Sequence, residues 1–166
     1  MTTTAFAAAI RPDGLMFRFG RAVGDLLGVA PDAGTATVLR ARYGLLGVLA
    51  AVDHIVTSHE VELVAALMDR DRLSLAARAI ALAAFEDGRG RRLDTLQAVA
   101  DVLDGARAGR ADPARVLDDL IALAASDGRI RRSERGWLLV VCACMNMDGE
   151  GLDRRIGGQH RQAVAA

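Results

Sequence analysis

The sequence predicts an all-α fold, a single compact bundle of about seven or eight helices. Three observations point there. Hydrophobic residues make up 52% of the 166 and aromatic residues only 4%, so Ala, Leu, Val and Ile must fill the interior, and these side chains suit close helix packing. No stretch alternates with a period of two over a useful length, so no strand is expected. One pattern occurs twice, as "AAVDHIVTSHE" over Ala50–Glu60 and as "AASDGRIRRSE" over Ala124–Glu134. A shift of 74 positions lays Leu46 on Leu120, Leu49 on Leu123, Asp53 on Asp127, Val56 on Ile130 and Glu60 on Glu134. Each copy reads as an apolar helix, an Asp turn, an apolar plug and a Glu in the first turn of a second helix. The pair predicts two pseudo-symmetric helical hairpins, Thr37–Met68 and Ala114–Met145.

In chain order, Met1–Pro12 lacks periodicity and reads as an arm, and Gly14–Val29 as a weak helix interrupted by Gly20 and Gly24. "APDAGTA", Ala30–Ala36, reads as a linker, closing an N-terminal region of residues 1–34. The helical domain is expected over 35–157. Its first helix, Thr37–Ala51, carries the stripe Val38, Ala41, Leu45, Val48 and Leu49. Thr57 and Glu60 form a capping box for the second, which turns Val61, Val64, Ala65 and Met68 inward. Ser74 caps a third helix running to about Phe85, and "EDGRGRR" breaks it. Leu93–Leu103 is amphipathic through Leu93, Leu96, Val99, Ala100 and Leu103. Asp112 and Pro113 start the helix Ala114–Ala125, and Arg131–Met145 is its companion. "DGEGLDRRIGG" gives at most a short terminal helix, and residues 158–166 read as a disordered tail.

Charge excludes several functions. The chain has 21 basic and 21 acidic residues, so no global field draws it to nucleic acid or anionic lipid. Every basic residue is Arg; without Lys there is no Walker-type phosphate loop and no Schiff-base chemistry. Cys142 and Cys144, two apart on a helix, point in opposed directions and read as core thiols. The N-terminus lacks the features of a signal peptide, and the longest apolar run, Trp137–Met145, is about half a bilayer span. A soluble, cytoplasmic protein with no membrane span is expected. The three histidines lie near no recognisable nucleophile, so no enzyme and no catalytic residues are expected.

The repeated turns carry the candidate site. On one account Asp53 and Asp127 end helices while Glu60 and Glu134 cap the next. On the other, Asp53, Glu60, Asp127 and Glu134 meet between the packed hairpins and hold a divalent metal ion through oxygen, with His54 and His59 as added ligands. Arg129, Arg131, Arg132 and Arg135 surround the second turn and could neutralise the acids instead. The Arg89–Arg92 cluster reads as a solvated face. No cofactor is otherwise indicated. The surplus of Ala, Leu and Val over what a small core needs points to a protein partner or self-association.

"SDGRIRRSERGWLLVVC" resembles the Asp-Gly-x-apolar-x-x-x-Glu signature of the TerB-like family, named from tellurite resistance. The stretch from Leu45 to Gly90 is similar to the TerB-like N-terminal region of the DjlA co-chaperones. It shares Leu67, Met68, Arg70, Arg78, Ala84, Phe85 and Gly88 with that region in the same order. None of His54, His59 and His160 is followed by Pro, so the His-Pro-Asp tripeptide of a J domain is missing, and Hsp70 stimulation of that kind is not expected. The resemblance implies an all-helical, non-enzymatic interaction module in bacterial stress response.

Overall fold

The computed structural model describes residues 30–52 and 58–164, with side chains defined for 30–52 and 59–158. The arm, the weak helix with Gly20 and Gly24, and the first Asp turn lie outside them. Among the described residues there are seven helices and no strand: α1 Ala33–Ala50, α2 Ser58–Arg70, α3 Leu75–Arg89, α4 Thr95–Arg107, α5 Pro113–Ala124, α6 Arg132–Cys144 and α7 Gly149–Val164. None is long and apolar enough to cross a membrane.

Two boundaries differ from expectation. The linker read over Ala30–Ala36 stops at Asp32, whose Oδ1 accepts from Gly34 N at 3.0 Å and Thr35 N at 3.1 Å and so starts α1 within the supposed break. At the other end α7 is not short. Its backbone runs through residues 158–164, which composition alone assigns to a disordered tail.

α1 is the central helix, buried nearly all round, and packs most extensively on α3, then on α4 and α5. The α1–α3 crossing is close because it is made of glycine. A Cβ on Gly47 would meet the Phe85 carbonyl oxygen, and one on Gly88 would meet the Gly44 carbonyl oxygen. α5 forms the second centre, against α2, α6 and α7. Leu45, Leu46, Leu49, Leu117, Leu120, Ile121, Leu123, Leu138 and Leu152 fill the space between at 1% exposure or less.

The repeat extends further than two hairpins. α1 and α5 end at Ala50 and Ala124, α2 and α6 span Ser58–Arg70 and Arg132–Cys144, and α3 and α7 begin at Leu75 and Gly149, all 74 residues apart. Helix ends match bond for bond: Leu73 N donates to Met68 O at 3.1 Å, and Met147 N to Cys142 O at 2.9 Å. α4 joins the two triplets. The symmetry is broken at the crossing, where Ile121 stands in α5 at the position of Gly47.

Some side chains expected inward face solvent. Val61 and Ala65 on α2, and Leu96 and Ala100 on α4, are exposed, because Val64, Leu67 and Met68 fill the buried face of α2, while Ala98, Val99 and Val102 fill that of α4. Cys142 is buried with its Sγ 3.5 Å from Met147 O, Cys144 is half-buried, and both are free thiols.

Candidate functional site

The second Asp turn is built as a cap. Asp127 Oδ1 accepts from Arg129 N at 3.1 Å, and Gly128 takes the left-handed conformation at φ 92° that closes the turn. Arg131 opens α6, and its backbone N–H donates to Glu134 at 2.7 Å. A guanidinium cannot accept a bond in return, so the reciprocal half of a capping box is missing, and Arg131 instead pairs with Asp127 at 2.8 Å.

Three of the four acids expected to ligate a metal lie within the described residues. Glu60, Asp127 and Glu134 line one small cavity with Leu123, Ala124, Ser126 and Arg131, too tight to admit a water molecule, and both glutamates are buried. Burial pushes the Glu134 carboxyl above its ordinary range; Arg131 opposes the rise, and Asp127 and Glu60 add to it. Asp53 and His54 lie outside the described residues, and His59 is exposed. Among the described residues no group of three His, Cys, Asp or Glu side chains is placed to hold a metal ion. Arg135 reaches Asp153 at 2.7 Å. In the Arg89–Arg92 cluster, Arg89 pairs with Glu86 at 2.8 Å and Arg92 with Asp87 at 2.9 Å, as a solvated face should.

A second polar centre was not singled out in the sequence. Asp119 lies on the buried face of α5 at 2% exposure. Arg42 from α1 donates to its Oδ2 through Nε at 3.0 Å and Nη2 at 2.5 Å, and Arg70 from α2 donates to both its oxygens at 2.8 and 3.2 Å. Asp71 joins the network, 2.5 Å from Arg42, 3.2 Å from Arg70 and 2.6 Å from Arg115. Three guanidinium groups thus share two carboxylates across both repeats. Burial pushes the Asp71 carboxyl up, but Arg42 and Arg70 more than offset this and hold it below its ordinary range. The bond to Asp119 keeps Arg70 protonated well beyond the usual arginine range. Beside them Tyr43 is fully buried, its hydroxyl makes no hydrogen bond, and burial pushes its pKa up to about 12.

One signal for this centre was available. Of the adjacent acids Asp118 and Asp119, Asp119 falls on the apolar face with Val116, Leu120 and Leu123, and in the first repeat its position belongs to the apolar Leu45. Outside the network opens a cavity of about 540 Å³, between α1, the end of α2 and the loop leading into α5.

The residues that carry the family resemblance mostly hold the fold. Leu67, Met68, Ala84 and Phe85 are core, and Gly88 makes the close crossing. Arg70 anchors Asp119, and Arg78 ties the α2–α3 turn by donating to Leu73 O at 3.1 Å and pairing with Asp69.

α3 leaves an apolar stripe uncovered. Leu75, Ala79, Leu82 and Ala83 recur at helical spacing on its exposed side, the two leucines 47% and 52% exposed.

A family described as tellurite resistance protein TerB matches residues 40–155. No curated protein and no solved structure matches the chain.

Proposed function

The chain belongs to the TerB family of tellurite resistance proteins, and on that footing we propose that it is a non-enzymatic interaction module of a bacterial, cytoplasmic stress response. Within the family the reading is nearest to the N-terminal region of the DjlA co-chaperones, supported by the ordered run from Leu67 to Gly88. The observation that carries it is the α3 stripe. Two leucines and two alanines on one exposed helix face contribute little to the monomer and would gain from burial against a protein partner or a second copy.

Light scattering and co-purification, on the wild type and on a Leu75→Asp, Leu82→Asp variant, test this. The expected result is a dimer, or a retained protein, that the variant loses while keeping its helical circular dichroism. A wild type that stays monomeric at all concentrations and retains nothing the variant does not would sink the proposal.

The second reading is a divalent-cation site formed by Asp53, Glu60, Asp127 and Glu134. That the last three line one cavity supports it; Arg131 in the same lining, paired with Asp127, and the absence among the described residues of three such groups placed to hold a metal oppose it. Calorimetry with calcium, magnesium, manganese and zinc on chelator-treated protein decides. Saturable heat lost in an Asp53→Asn, Asp127→Asn variant favours the cation, and no heat leaves the turns as caps.

A further inference from the structure

We infer that the arginine-walled cavity beside Asp119 binds a small organic oxyanion of the phosphate-monoester kind. This goes beyond the contact face on α3 and involves none of its residues. Four guanidinium groups line the cavity, from Arg42, Arg70, Arg110 and Arg115, against two carboxylates, Asp71 and Asp112. With Asp119 behind the wall and Asp32 3.8 Å from Arg110, charge is balanced overall, so the site rests on how the guanidinium groups are placed. Asp112 is further committed, because its Oδ1 accepts from Ala114 N at 3.0 Å as the cap of α5.

The four arginines are not equivalent. Arg42 is spent on Asp71 and Asp119 and forms the fixed, buried back of the site. Arg70 is held in place by three bonds and keeps N–H groups to spare. Arg115 pairs with Asp71 at 2.6 Å, and about half its side chain is exposed. Arg110 comes no nearer to Asp32 than 3.8 Å, beyond a hydrogen bond. Two guanidinium forks at the mouth are therefore under-used, in front of a third already oriented by buried acids. The positive end of the α5 dipole lies at the same wall.

Ligand class follows from this arrangement. A carboxylate is satisfied by a single bidentate fork, whereas a tetrahedral dianion offers oxygens to several forks at once. Val38, Leu73 and Val116 make the remaining wall apolar, and about 540 Å³ exceeds what a bare inorganic ion fills, so an organic body is accommodated.

The test is calorimetry and thermal melting with inorganic phosphate and phenyl phosphate at constant ionic strength set by chloride. Wild type is compared with an Arg110→Gln, Arg115→Gln variant, which leaves Arg42, Arg70 and both buried acids in place. Saturable binding is expected, tighter for phenyl phosphate, raising the melting temperature and weakened at least about tenfold in the variant. The variant without probe should melt close to wild type, which separates lost binding from lost folding. No saturable binding of either probe to wild type, or equal binding by a folded variant, overturns the inference. Phosphate binding as tightly as phenyl phosphate overturns the assignment of the apolar wall to an organic body.

Discussion

Arg72 and Asn146 stand 74 residues apart, and both take the left-handed backbone conformation, at φ 51° and 55°, just past the second helix of each repeat. The same Schellman-type bond follows each. Asn tolerates this conformation, whereas Arg is strained in it. Arg72→Gly is therefore expected to stabilise the protein by about 0.5–1 kcal/mol, a rise of about 1–4 °C in melting temperature. A lower melting temperature would contradict the assignment.

Gly47→Ala and Gly88→Ala should each cost about 2 kcal/mol or more, because the added methyl meets a carbonyl oxygen of the facing helix that cannot rotate away. Gly136→Ala is the control. It lies within α6 with nothing near its Cβ position, so it is expected to be neutral or to stabilise by up to about 1 kcal/mol. Denaturant midpoints compare the three.

Asp119→Ala should cost about 3–5 kcal/mol, since it strips the buried Arg42 and the partly buried Arg70 of their shared acceptor. The Asp71 carboxyl, held low when folded, contributes stability that is present above the ordinary carboxylate range and lost as pH falls through its lowered value. Wild type should lose stability on acidification below about pH 4, and Asp71→Asn should show a shallower acid limb from a lower plateau.

Glu134 has the opposite sign. Its raised pKa means the folded state prefers the protonated carboxyl, so its contribution is present below the ordinary Glu range and lost as pH rises through the raised value. Glu134→Gln retains an oxygen to accept from Arg131 N and should flatten the decline above about pH 4.5. Urea midpoints taken from pH 4 to 8 read this directly. An unchanged profile would mean the charge is neutralised in the cavity.

Tyr43→Phe removes a buried hydroxyl that has no partner and keeps the ring beneath Arg42, whose guanidinium carbon is 5.4 Å from the ring centre. It should be neutral or stabilising by up to about 1 kcal/mol in thermal melts, where a loss of more than that would reveal a bond to the hydroxyl.

What the sequence by itself determined was local and periodic. Helical periodicity, the caps Ser74 and Asp112, and the doubled Asp-turn-Glu pattern follow from short-range chemistry, so the all-α class and the 74-residue repeat were legible. Only the tertiary structure decided which glycines matter, because Gly47 and Gly88 are distant in sequence and acquire a role only when two backbones meet. It also decided which charges meet. Arg42, Arg70, Asp71, Asp119 and Arg115 come from three helices and the end of one of them, and no spacing rule links residues whose separation is closed by packing alone. The exposure of Leu75 and Leu82 was settled in the same way, by which side of α3 the glycine crossing with α1 leaves free.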